Sequence, residues 1–542
     1  MRRTLLAVLA LAAALAPSVL QAVDLSDLRP QVSRAVRHDV SPPFRDLQHL
    51  TLKSGAPQAE REIPYRLPDV AGRFHPTPEL PDPLIQSGAP VAATPSPTLT
   101  FEGLSADDDA AVLGGRVVPP DTNADVGLTR IVQTINTLYA VYDKAGTKLF
   151  GPVPIQNLWA GFGGDCQTHN DGDPTVVYDD AADRWVISQF ALGSNGHQCV
   201  AVSTSSDPAG SFYRYDFVVS PGRTNDYPKM GVWPDGYYIT ANEFTSGFQG
   251  VIAVAFERSR MLAGLSAQMV KFGPLGCGTE CYFSMQPAHF DGGTAPASGA
   301  PNTFIQAWDD ETWGTGSGPD GYRLFAFSVN WTSPGSSTFI SLSQVTAPEF
   351  DAELCRFNSA CVPQPRPGER LDVLGQFTMY RAMYRNFGTH ESLVISHTVD
   401  VSGHSLAGVR WAELRNTGGG WFLQDTGTIS AGKDHRWLPS IAMDKQGAIA
   451  VGYSVSSRDV QPAIRYVTRA AGDPPGTMGA EVTLQAGAGV QQSSFNRWGD
   501  YSAMSLDPAD GCTFWYTTEY YANNGSFDFK TRIGSFKQPG CS

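Results

Sequence analysis

A hairpin-sized pattern recurs along this chain and limits its fold more than any other feature. Asp173-Pro174 opens DPTVVYDDAADRWVISQF and Asp226-Tyr227-Pro228 opens DYPKMGVWPDGYYITANEF. His390-Glu391 opens HESLVISHTVD, Trp437-Leu438-Pro439 opens WLPSIAMDKQGAIAVGYSVSS, and Asp500-Tyr501 opens DYSAMSLDPADGCTFWYTTEYY. In four of the five, a polar or aromatic cluster leads into about five strand residues, a turn rich in Asp, Gly or Pro, and a second β-rich run. Self-similarity at roughly 40 to 60 residues without helical periodicity predicts radial β repetition. The expected fold class is therefore all-β: a single β-propeller of seven four-stranded blades. Blade-sized blocks fall near 117–160, 165–218, 223–275, 283–345, 372–430, 433–483 and 494–538. A Gly-rich insert, GTAPASGAPNT, within the block 283–345 leaves six or eight blades as alternatives.

Bulk composition fits that reading. Hydrophobic residues make up 42% and aromatics 11%, enough for a large core. Counts of 55 Gly and 39 Pro suit many short strands joined by turns. A net charge of -14 argues against a nucleic-acid partner, which needs a basic face. The chain opens as a secretory signal does: a charged Met1-Arg2-Arg3, an apolar run from Leu5 to Leu15, and a cleavage zone ending at Ala22. No later stretch is long and apolar enough for a membrane span. The expected division is a signal peptide over 1–22, a Pro/Ala-rich N-terminal segment or strap over 23–100, and the propeller over 101–542. The expected product is a secreted or periplasmic monomer.

Eight cysteines in an exported chain predict disulfides. Cys277 with Cys281 and Cys355 with Cys361 would staple short loops, Cys166 with Cys199 would bridge one blade, and Cys512 with Cys541 would tie the last blade to the C-terminus. Zinc is disfavoured because close CxxC pairs are missing.

Four segments, VPPDTNADVGLTRIVQTINTLYAVYDKAG, DGDPTVVYDDAADRWVISQFA, DYPKMGVWPDGYYITANEF and NRWGDYSAMSLDPADGCTFWYTTEYY, resemble a family of secreted bacterial propeller proteins of the broad sialidase-like (BNR-type) kind. The resemblance runs from Phe101 to the end and implies the propeller fold and an exported location. It departs at the repeated Ser-x-Asp-x-Gly-x-x-Trp boxes of true sialidases, whose nearest echo is TSSDPAGSFY around Asp207 and Gly210.

In a propeller, the residues just before the innermost strands line one mouth of the central channel. The repeats place there Asp173, Asp226, Tyr384, Arg385, His390, Glu391, Arg436, Trp437, Arg497, Trp498, Asp500 and Tyr501, with Asp121 in a comparable place. Arg385, Arg436 and Arg497 each lie beside an aromatic residue or amide. Guanidinium forks grip carboxylate or sulfate and aromatic faces stack on sugars, so the substrate-binding set expected for an anionic or hydroxyl-rich glycan is Arg385, Arg436, Arg497, Trp437, Trp498, Tyr501, Tyr384, Asp226 and His390. The plainer reading makes each arginine a strut paired with a neighbouring blade's acid.

Glycoside hydrolysis needs two carboxyl groups, and Glu391, Asp500 and Asp173 are the catalytic candidates. No cofactor is expected; calcium is the one ion to weigh, because Asp165, Asn170, Asp171 and Asp173 offer hard oxygens, although their spacing is not that of an EF-hand. HExxH and GxSxG are absent, as is any Gly-rich phosphate loop. Two functions stay open: an exported glycoside hydrolase, and a non-catalytic propeller that binds a glycan or protein.

Overall fold

The computed structural model describes residues 25, 27–47, 60–63, 67–68, 72, 74–75, 80–86, 88, 90 and 92–542. The expected signal peptide lies outside them. Among the described residues there are thirty-three strands and four α-helices, the longest of eight residues. No helix among them is long and apolar enough to cross a membrane.

The strands form antiparallel units whose innermost members are Asn123–Val126, Gly172–Asp179, Thr224–Val232, Gln286–Phe290, Ala382–Asn386, His435–Met443 and Ala503–Leu506. These seven contact one another in a closed cycle, Ala503–Leu506 lying against Asn123–Val126. That cycle makes the fold a β-propeller. Because every innermost strand runs the same way about the axis, neighbours that come within bonding distance pair in parallel; Ala288, His289 and Phe290 do so with Ala382, Met383 and Tyr384.

Each blade is sandwiched between two others, so its strands are buried on both faces and read as nearly continuous apolar runs. Ile449–Ser456 and Tyr237–Phe244 are buried at every position. The entrances to the innermost strands share a local device. Asp121, Asp173, Tyr227, Ser284 and Leu438 occupy equivalent places and all have positive φ, between 44° and 55°. Strand register shifts there between Gly172 and Thr175, Asp226 and Lys229, and Trp437 and Ser440. A bulge of this kind bends the strand and re-aims a side chain, and here it turns these side chains toward the axis. The Asp-Pro, Tyr-Pro and Leu-Pro pairs of the repeats are the bulge itself, since proline keeps the preceding residue out of the right-handed helical region.

One repeat has a different place from that expected. HESLVISHTVD is the second strand of its blade, Glu391–Asp400, and the innermost strand is Ala382–Asn386. The longer apolar run belongs to the strand packed between blades, while the short inner strand carries Tyr384 and Arg385 and reads as a loop.

Several described stretches of the N-terminal segment lie along the outside of the ring. Gln31–Arg34 adds to the edge of Gln268–Leu275 and Arg37–Val40 to the edge of Phe212–Ser220. Asp82 takes a 2.7 Å bond from Arg410, and Ala480 donates to the Ala92 carbonyl. Leu99–Ser105 is the fourth strand of the last blade, paired with Phe529–Lys537. A division between residues 100 and 101 therefore falls inside a strand. Four disulfides, Cys166–Cys199, Cys277–Cys281, Cys355–Cys361 and Cys512–Cys541, pair all eight cysteines.

Candidate functional site

At the entrance end of the axis the bulges gather a sealed polar cluster. Asp173 accepts from the Tyr227 backbone N–H at 3.2 Å and the Tyr501 hydroxyl at 3.3 Å. Asp500 accepts from Arg497 at 2.6 Å, and its own N–H donates to Asp121 at 2.6 Å. Asp372 lies 3.8 Å from Arg497, and Glu519 accepts from the Gly499 N–H. Lys229 sits 3.7 Å from the centre of the Tyr227 ring and donates to Ser284. All of these groups are buried.

The electrostatics follow from that burial, because removing a charge from water favours the neutral form. Burial, reinforced by the neighbouring aspartates, pushes Asp121 and Asp173 well above the ordinary carboxylate range. Burial likewise raises Asp500 against the pull of Arg497, and raises Asp372 to about 7. Lys229 is drawn well below its usual range by burial, although Asp500, Asp173 and Asp226 oppose this. The cluster is a buried plug of acids, tyrosines, Lys229 and Arg497.

The other expected residues separate into struts and core. Arg436 pairs with Glu481 at 2.7 Å, and Glu481 also meets Arg465 and the Tyr453 hydroxyl. Burial raises Glu481, but the Arg436 hydrogen bond and charge outweigh it and leave the carboxyl below its usual range. Trp437 and Trp498 pack on each other at 5.9 Å, and both are fully buried. Glu391, Tyr384, Arg385 and His390 lie at the opposite end of the propeller from Asp173 and Asp500, for the register reason given above. There Glu391 accepts from Tyr384 at 2.6 Å and from Asn416 at 3.0 Å, Arg385 pairs with Asp291 at 3.3 Å, and His390 stacks on Phe387. These four do not share a site with the axial acids.

Of the expected residues at the axial end, Asp226 lines an open space. With Arg61, Glu62, Ile63, Asp171, Phe190, Leu192 and Thr224 it lines a cavity of about 170 Å³ over the axial cluster. The roof is Arg61, Glu62 and Ile63 of the N-terminal segment. Arg61–Glu62 pairs in parallel with Val117–Val118, Arg61 donates to the Asn170 carbonyl at 2.8 Å, and the Ile63 carbonyl accepts from Arg497 at 2.9 Å. Burial pushes the Glu62 carboxyl up, Arg497 opposing and Asp500 adding to the shift. Sequence reasoning missed Arg61 and Glu62 because they form a two-residue strand in a Pro-rich stretch; the only signal was the charged run EREIPYR.

The calcium set is dispersed: Asp165 faces His197 at 3.2 Å, Asp171 accepts from the Leu192 N–H, and Asp173 belongs to the axial plug. Among the described residues the acids close enough to share an ion are Asp309, Glu311 and Asp320. The oxygens of Asp309 already accept from the Thr312 and Ala352 N–H groups and those of Asp320 from Asp310 and Phe350, which accounts for these two as turn formers.

No family model and no curated protein matches the chain. Among solved structures it is similar to an ulvan lyase of polysaccharide lyase family PL25, at 12% identity and a TM-score of 0.40, covering 83% of this chain and 96% of that one. It is also similar to the GH43 endo-arabinanase from Bacillus licheniformis, at 11% identity and TM-score 0.27, over 57% of this chain and 92% of that one. A third similarity is to the Trypanosoma rangeli sialidase, at 11% identity and TM-score 0.25, over 67% of this chain and 54% of that one.

Proposed function

We propose that this is an exported carbohydrate-active protein that works as a glycoside hydrolase at the axial mouth, with Glu62 as proton donor and Asp226 as the second carboxylate. The cavity itself carries this reading. It sets Glu62, Asp171 and Asp226 beside Arg61, and burial favours the protonated form of Glu62 while its side chain stays one quarter exposed. Glycoside hydrolysis needs a carboxyl held as an acid with a second carboxyl group beside it. At about 170 Å³ the space is smaller than the roughly 300–1,000 Å³ of sites for drug-sized ligands, which suits one terminal sugar ring. Export is supported by the four disulfides, which persist in oxidising compartments.

A screen of chromogenic glycosides, repeated with Glu62→Gln, tests the reading. Glutamine keeps the shape and removes the proton, so kcat should fall by about 10²–10⁴ with binding retained. Unchanged turnover removes Glu62 from the chemistry.

A second reading, a propeller that binds a glycan without turning it over, is favoured by the sealing of Asp173 and Asp500 beneath the mouth. Binding by the unaltered protein with no product in the same screen selects it.

A further inference from the structure

A second concavity opens on the entrance face, between the loop following Cys355 and the start of His435–Met443. Its volume is about 620 Å³, within the range of small-ligand sites, and Arg370, His404, Lys433, His435 and Arg458 line it with one acid, Asp459. On a chain of net charge -14, three permanent cations against one carboxylate make a local positive field, and a concave wall concentrates it. Asp459 is taken up by an exposed ion pair with Lys433. Arg458 is exposed and has no hydrogen bond or ion pair among the described residues.

The chemistry at the base is that of an anion receptor. His435 is buried, and its Nδ1 accepts from the Ala407 N–H at 3.2 Å, which leaves the ring proton on Nε2 as a donor. Arg370 spends one N–H on the Cys361 carbonyl. The wall carrying Arg370 is held in place by the Cys355–Cys361 disulfide and by Asn496, which donates to the Arg370 carbonyl at 2.6 Å. Two residues further on, Asp372 reaches Arg497 on the axis, and its N–H donates to the Asn496 carbonyl. The loop carrying Arg370 and Asp372 therefore joins this pocket to the mouth.

We propose that this pocket binds the carboxylate or sulfate of an acidic saccharide, with Arg370 and Arg458 as the charged contacts and His435 as the neutral donor. The proposal rests on the carbohydrate reading above and supplies its substrate class: a glycan whose terminal ring enters the mouth while an acidic residue further along docks here. Forked guanidinium groups match the planar or tetrahedral oxyanions of such sugars.

Calorimetric titration of the full chain tests it with four probes: trigalacturonate, a chondroitin sulfate disaccharide, neutral cellotriose and sodium sulfate. At least one acidic saccharide should bind, and Arg458→Glu should weaken that binding more than tenfold with Tm unchanged, because the side chain is exposed and unpaired. Arg370→Ala should act in the same direction. Whether the carboxylated or the sulfated probe binds identifies the anion. Acidic-saccharide affinity that is indifferent to both substitutions overturns the pocket and leaves the hydrolase reading standing, as does binding of cellotriose alone. Binding of sodium sulfate alone overturns the saccharide assignment here and counts against the carbohydrate reading as well.

Discussion

Asp500 and Arg497, three residues apart, form a 2.6 Å ion pair at the centre of the ring, where both side chains are almost wholly buried. Arg497 also holds the Ile63 carbonyl, so one guanidinium ties the last blade to the N-terminal roof. Removing one member of a buried pair strands the other. Arg497→Ala should therefore lower stability by about 3–5 kcal/mol, read from urea unfolding. A loss below about 1 kcal/mol, within the range of an exposed pair, would show that the guanidinium is not a strut.

The buried acids set the response to pH. Burial raises Asp372 and Asp351 to about 7, Asp180 to about 8 and Asp320 to about 9. In the unfolded chain such groups titrate near 4, so the folded state binds their protons more tightly. The stability they contribute is complete below about pH 4 and is lost as pH rises through about 7 to 9. Two buried histidines act in the opposite sense: burial lowers His397 to about 3 and His435 to about 4, so their contribution is lost as pH falls below about 6.5. Tm should peak in mildly acidic buffer and fall steadily from pH 6 to pH 9.5. A melting profile that is flat or rising over that interval contradicts the assignment of these acids as protonated.

The disulfides should differ in weight. Cys166–Cys199 closes a loop of 33 residues and joins the helical turn Asp165–Thr168 to the strand Gly196–Ser203, whereas Cys277–Cys281 spans 4. Loss of the longer bridge by Cys166→Ser with Cys199→Ser should cost roughly 2–5 kcal/mol. The same replacement at the short bridge should cost distinctly less, since a short loop has little closure entropy to remove. Equal losses in paired unfolding curves would overturn this ranking.

The fold was legible because strands packed on both faces leave long apolar runs, as in WVISQFA at 185–191 and IAVGYSV at 449–455. The cysteine pairing was legible from spacing and compartment. The site was less so. Asp173 and Asp226 look alike in sequence, each before a bulged Pro-containing strand, yet one is locked under two tyrosines while the other faces the mouth. Only the register of the bulge decides between them. Arg436 and Arg497 carry the pattern of ligand-gripping residues, but Arg436 is taken up by Glu481, which comes from elsewhere in the chain and leaves no local mark, and Arg497 by Asp500, which stands three residues on and reads in sequence as a catalytic candidate. Glu391 was misplaced because its blade enters through a five-residue strand with weak β character. Glu62 lies in a segment with no periodicity, and becomes part of the mouth only through pairing with Val117–Val118.

The closing of the last blade by Leu99–Ser105 has a kinetic consequence. Arg532 donates to Glu102, 430 residues earlier in the chain. At translation rates of about 5–20 residues per second, the earlier strand waits roughly 20 to 90 seconds for its partner. Throughout that interval it is an unpaired edge, a template for pairing with another chain. Assembly of the ring is therefore an event of the finished polypeptide, and the nascent protein needs protection until its final blade has been made.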